Sequence, residues 1–213
     1  MKDLVIVGDG GFAREVEWLV ERINLKDPTW NFTGFIDKDA SRDKVIGDDD
    51  YLMNYRSEIY VAVAIGTSNI REKLYKAYKI NPNIKFANLI DPSVLLSDRV
   101  QIGEGNIVCA GTILTVDIVL GNCNIINLDC TIGHDAVIDD FVTVNPSVSI
   151  SGNVHLSSGC NIGTGTQIIQ GLNIGKNTIV GAGAVVSKEL PANCTAVGIP
   201  ARVIKIREEN ADE

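Results

Sequence analysis

From Ile90 onward an aliphatic residue returns at every sixth position without a break. The series runs Ile90, Leu96, Ile102, Val108, Leu114, Leu120, Ile126, Ile132, Ile138, Val144 and so on to Val186. Four residues after most of these the side chain is small or apolar, as at Val94, Cys130, Ala136, Val148, Cys160 and Ala184. Glycine often follows the aliphatic directly, at 103, 121, 133, 163, 175 and 181. An α-helix cannot hold a six-residue period on one face, whereas a parallel β-helix can. Each hexapeptide supplies one flat face and one corner, and three hexapeptides close a triangular coil. The aliphatic side chain points inward and stacks on its counterpart one coil away. The glycines are expected to relieve the corners by taking positive φ. The run makes about five coils, a prism about 25 Å tall at ~4.8 Å per coil. Such repeats touch only their neighbours, so both ends need covering. Residues 186–206 are expected at one end and the N-terminal half at the other.

That N-terminal half has a different rhythm. "LVIVG" (4–8), "WNFTGFID" (30–37) and "IYVAVAIG" (59–66) read as strands. Between and after them, 9–23 and 68–79 carry apolar residues at helical spacing, and 49–55 is a short helix. Ser68 is the expected N-cap of the last helix. Strand–helix alternation predicts a small parallel α/β sheet. The expected domains are thus a Rossmann-like unit over 1–85 and a β-helix with its cap over 86–213.

Net charge is −8, which disfavours nucleic acid as a partner. No apolar stretch is long enough to cross a bilayer, so no membrane span is expected. The N-terminus turns acidic and helical too soon for a signal peptide. Five scattered cysteines show no metal-type pairing, consistent with reduced, packing thiols in a cytoplasmic protein.

Several stretches in fixed order carry a resemblance: "VGDGGFAREV", "GFIDKD", "VAVAIGTSNIREKLY", "NLIDPSV", "IGHDAVIDDF" and "GIPARVIK". Together they resemble the hexapeptide-repeat family of sialic acid O-acetyltransferases and bacillosamine-type UDP-4-amino-sugar N-acetyltransferases. The resemblance spans nearly the whole chain. It implies a left-handed β-helix, acetyl-CoA as co-substrate without a metal, a nucleotide-sugar acceptor, and a homotrimer with active sites between neighbouring β-helices.

The chemistry centres on His134, one of two histidines. It lies two residues after inward-facing Ile132, hence on a flat outer face, between Val116 below and Gly152 above. Glycine there leaves room for a ligand, and its N–H can donate to a developing oxyanion. Acetyl transfer from a thioester needs a base, and an imidazole titrates near working pH. The resemblance implies His134 as that base and Asp135 as the carboxylate supporting it. Adjacent residues in a strand point oppositely, so Asp135 must act through a turn or across an interface; Asp129 and Asp117 are alternatives. His155 falls in a solvent-facing slot.

By the same resemblance acetyl-CoA lies along a groove and meets Gly152, Thr164 and Ala182. Thr143 stands where the family often has a second histidine near the acetyl group. Lys176, Lys188, Arg202 and Lys205 could meet CoA phosphates but read as surface. The "GDGGFA" loop can cradle a phosphate at a helix start, giving Gly10, Gly11 and Phe12 as substrate contacts. Asp37 and Lys38 match the family's nucleobase-reading pair, and Ile65 and Gly66 end a strand at the sheet's ligand edge. The expected function is N-acetylation of a UDP-4-amino sugar by direct attack, for surface glycan synthesis. O-acetylation of sialic acid or another sugar stays open, with a non-catalytic sugar-nucleotide scaffold more remote. A zinc hydratase of the γ-carbonic anhydrase type needs about three histidines.

Overall fold

The computed structural model describes residues 1–208. The first unit is a five-stranded parallel sheet of β1 (Lys2–Val7), β2 (Trp30–Ile36), β3 (Val45–Gly47), β4 (Ile59–Val63) and β5 (Ile84–Phe86), in the order β3-β2-β1-β4-β5. Three helices accompany it: α1 (Gly11–Lys26), α2 (Asp49–Met53) and α3 (Ser68–Tyr78). Sequence periodicity misses β3 and β5, because such short strands show no alternation. The residue flanking α3 is Thr67, with no side-chain cap; the Ser68 hydroxyl instead donates to Gly159 O at 3.2 Å.

Seventeen two-residue strands follow, β6 (Leu89–Ile90) through β22 (Val185–Val186), and they sort by period into three parallel walls. One contains β13 (Thr131–Ile132), the next β14 (Val137–Ile138), the third β15 (Thr143–Val144). Paired strands are one full coil apart, as Ile132 with Ile150 and Ile138 with Leu156. This is the left-handed parallel β-helix. Its axis is a column of aliphatic residues, with Leu114, Ile132, Ile150 and Ile168 all buried.

Two expectations about the repeat need correction. The glycines directly after the aliphatics do not take positive φ. They serve close approach: a Cβ on Gly133 would lie 2.6 Å from Gly152 N, and one on Gly163 would lie 2.5 Å from Ala182 N. Positive φ falls two residues later, with Gly105, Gly111, Asp117, Cys123, Asp129, Asp135, Phe141 and Ser147 all between 52° and 77°. These close the corners, and the left-handed conformation is imposed by coil closure even on Phe141.

The α/β unit also does not sit on the end of the prism. It lies along the third wall, where the outward side chains Leu89, Ile107, Ile125 and Thr143 are buried. Those outward positions are apolar enough to bury against the unit, while the first coil stays open and leaves Leu96 40% exposed. α1 holds one edge of that wall: Arg22 forks onto Asp91, Nε at 2.5 Å and Nη2 at 3.0 Å. α3 holds the other edge, and one helix face meets successive corners. Ser68 reaches Gly159, Arg71 reaches Phe141 and Cys123, and Tyr75 and Lys79 both reach Glu104. At the far end β23 (Cys194–Val197) extends the third wall, and β24 (Arg202–Ile206) pairs antiparallel with it. Leu190 bridges to Ile174 and closes the last coil.

All five cysteines are free and buried. Burial pushes the thiols of Cys109, Cys123 and Cys160 up to about 12 and that of Cys130 to about 11, so they pack and do not attack.

Candidate active site

His134 and Asp135 form the two-residue turn between β13 and β14. The histidine therefore occupies a corner of the prism rather than a flat face. Asp135 has φ 58°, which folds its carboxylate back beside its own neighbour. His134 Nδ1 and Asp135 Oδ2 are 2.7 Å apart. An ionised carboxylate only accepts, so Nδ1 is the donor in this bond, and in the neutral ring that leaves the lone pair on Nε2. The pairing that a strand would forbid is made by the left-handed turn. Asp117 is engaged elsewhere, forked by Arg99, and no hydrogen bond joins Asp129 to the ring.

The ring lies over Gly152. A Cβ there would stand 2.5 Å from Nε2 and 2.6 Å from Cε1 of His134. The space left by this glycine is filled by the imidazole itself, which corrects the expectation of a ligand gap. Among the described residues the Gly152 N–H has no protein acceptor. The imidazole side chain is 50% exposed, so its open side faces solvent. His155, half-exposed on the second wall, pairs Nε2 with Asp139 Oδ1 at 3.1 Å and is not part of this corner.

Thr164 and Ala182 line a different corner column, running through Leu128 and Pro146, and are exposed. Thr143 is misplaced for a cofactor contact within the chain. It is buried under the α/β unit, donating to Gly66 O at 2.9 Å and accepting from Arg71 at 3.0 Å. Its outward direction on the third wall, not its distance from His134 in sequence, decides that.

The sugar-nucleotide candidates do converge. Gly10, Gly11 and Phe12 open α1, Asp37 and Lys38 follow β2, and Ile65 and Gly66 follow β4. All lie at the carboxyl ends of the strands, where the order switches between β1 and β4. No atom comes within 4 Å of a Cβ position on Gly10 or Gly66, so the space above both is open. Asp9 is held by Arg42 at 2.7 Å, and Asp37 Oδ1 accepts from the Asp39 N–H at 3.1 Å.

Sequence reasoning missed Arg71. It is 1% exposed, yet no carboxylate is among its partners. Burial holds its guanidinium down to about 10. The available signal was a charge on the same helical stripe as Ser68, Tyr75 and Tyr78.

The comparisons with known proteins agree with this architecture. The model of the PglD N-terminal domain matches residues 3–78. WeeI from Acinetobacter baumannii AYE is 32% identical over 96% of this chain and 100% of its own, with a TM-score of 0.85. A histidine variant of perosamine N-acetyltransferase from Caulobacter crescentus, in complex with CoA and GDP-perosamine, is 30% identical over 96% and 98%, with a TM-score of 0.87. The chain belongs to the PglD-type N-acetyltransferase family. The acetyltransferase domain of PglB from Neisseria gonorrhoeae, in complex with acetyl coenzyme A, is 28% identical over 95% and 99%, with a TM-score of 0.89. The family is one of acetyl-CoA-dependent sugar N-acetyltransferases. No curated protein matches the chain.

Proposed function

We propose that this chain transfers the acetyl group of acetyl-CoA to the amino group of a nucleotide-activated amino sugar, with His134 as general base. The carrying observation is the His134–Asp135 pair, seated over Gly152 with Nε2 unpaired. Nε2 takes the proton from the acceptor amine as nitrogen attacks the thioester carbonyl. The tetrahedral oxyanion is met by backbone N–H donors, with Gly152 as the nearest candidate. Its collapse breaks the C–S bond, and the imidazolium returns its proton to the departing thiolate. Asp135 stabilises the imidazolium meanwhile.

The geometry argues for assembly between copies. The His134 corner joins the first and second walls, opposite the third wall that carries the α/β unit. Within one chain, base and sugar loops stand apart by the width of a prism face, about 20 Å at most. A homotrimer with β-helices side by side brings one copy's base towards another copy's Thr164 and Ala182 column and nucleotide loops. Gly10, Gly11, Phe12, Asp37, Lys38, Ile65 and Gly66 would then hold the nucleotide sugar. A UDP-4-amino sugar is the first acceptor to try, with GDP and dTDP sugars beside it. The kinship with perosamine N-acetyltransferase favours nitrogen over oxygen as the acyl acceptor.

The test is CoA release against a panel of UDP-, GDP- and dTDP-linked amino sugars, with products read by mass spectrometry. An acetylated sugar product that disappears in His134→Ala supports the reading. Equal turnover in His134→Ala overturns the role of the base.

A further inference from the structure

Arg71 is the largest buried cation in the fold, and it stands where the two units meet. Its Nη1 donates to Ile65 O at 2.7 Å and Gly66 O at 3.1 Å. Its Nη2 donates to Phe141 O at 2.7 Å and Thr143 Oγ1 at 3.0 Å, and Nε to Cys123 O at 2.7 Å. The guanidinium is planar, so these directions are fixed together. Thr143 completes the grip by donating back to Gly66 O at 2.9 Å.

A loop held by its carbonyls is also oriented in its amides. In a trans peptide the C=O and N–H point opposite ways. With the carbonyls of Ile65 and Gly66 turned into Arg71, the N–H groups of Gly66 and Thr67 point out at the carboxyl edge of the sheet. Neither N–H has an acceptor among the described residues, and the space at Gly66 is open. They lie on the β4 side of the strand switch point, and Gly10 and Gly11 at the start of α1 lie on its β1 side. Burying an unpaired guanidinium is costly, and packing alone would be served better by an apolar residue.

We propose that Arg71 is a positioning residue for the acceptor substrate: it locks the Ile65–Gly66 peptides so that two outward amides receive the diphosphate of the sugar nucleotide, and it ties that loop to the β-helix coil that follows His134. This rests on the nucleotide-sugar reading above. Arg71 itself touches no substrate.

The test uses the full chain with UDP, GDP and dTDP as probes, by calorimetry, alongside steady-state kinetics and thermal melting. Arg71→Lys keeps a charge but loses the fork, and Thr143→Val removes one hydroxyl without leaving a buried charge. Expected are a roughly tenfold weaker nucleoside diphosphate affinity for Arg71→Lys and a roughly threefold loss for Thr143→Val, each matched in the KM for the sugar, with the KM for acetyl-CoA within about twofold of wild type. A merely structural role would lower the melting temperature and leave the nucleotide affinity of the folded protein within about twofold, and that result overturns the proposal. Should Arg71→Lys fail to fold, Thr143→Val decides by the same criterion. Wild-type protein that binds none of the three probes takes down the nucleotide-sugar reading, and this inference with it.

Discussion

Gly152→Ala should slow the enzyme severely while leaving the imidazole, its carboxylate and the residue 152 N–H all chemically intact. The added methyl would stand 2.5 Å from His134 Nε2, 2.6 Å from Cε1 and 2.9 Å from Cδ2. Ordinary contact begins near 3.4 Å, so the ring must retreat by about 1 Å. That retreat stretches the 2.7 Å bond to Asp135 beyond hydrogen-bonding range and moves Nε2 away from the amine proton it is proposed to take. A misplacement of this size costs on the order of 10²-fold in rate. The backbone itself accepts alanine, because φ at 152 is not in the left-handed region. The half-exposed ring can yield outward, so the melting temperature should fall by no more than about 4 °C, equivalent to under ~1 kcal/mol. Thiol release from saturating acetyl-CoA and sugar measures the rate, and a thermal melt measures the fold. The double variant with His134→Ala supplies the control: with the imidazole gone, the methyl has nothing to displace and should cost nothing further. A Gly152→Ala enzyme within threefold of wild type would refute the reasoning. So would an additional tenfold loss in the His134→Ala background.

Other expectations follow from the same structure. Asp135→Asn should lower kcat roughly 10–100-fold with little change in either KM, less than for a fully buried triad carboxylate because this pair is half-exposed. Gly133→Ala drives a Cβ to 2.6 Å from a backbone nitrogen of the next coil and should destabilise by about 1–3 kcal/mol in urea melts. Burial raises the Asp91 carboxyl, but hydrogen bonds from Arg22 and Ser93 outweigh it and bring it from 3.8 to about 2. Its stabilising contribution is therefore complete above about pH 4 and is lost as pH falls through 2; Asp91→Asn should cost about 1–2 kcal/mol at neutral pH and flatten the acid limb of the stability curve. The buried cysteines should react with a thiol reagent only on the timescale of global unfolding, as native-state labelling rates would show.

The six-residue period made the prism legible because inward aliphatics cannot be exchanged for polar residues without opening the core. Leu114 through Val186 are buried where the pattern puts them. The pattern could not show what lies against the outside. Ile107 and Ile125 read as ordinary strand residues, yet they form the seat of the α/β unit. His134 was legible as the candidate base, but its seat was not, since whether a glycine makes room for a ligand or for a ring depends on a rotamer. The Asp135 pairing depends on one left-handed residue, and the corner series mixes Asp, Asn, Cys, Phe and Ser with Gly, so no single letter announces it. Arg71 stayed hidden because its partners are main-chain carbonyls, which leave no mark in a sequence.

The contact of α3 with the prism corner has a length limit built into it. A helix advances about 5.4 Å per turn and a β-coil about 4.8 Å, so the two scales part by roughly 0.6 Å at each step. From Ser68 to Lys79 the accumulated mismatch is roughly 2 Å, which flexible side chains absorb. A helix twice as long would drift by roughly 4 Å, most of a rung, more than its side chains could absorb. Rungs can therefore be added or removed beyond Gly159 without disturbing the vernier, while any change in their number between Glu104 and Gly159 would throw the α/β unit out of step with the wall it grips.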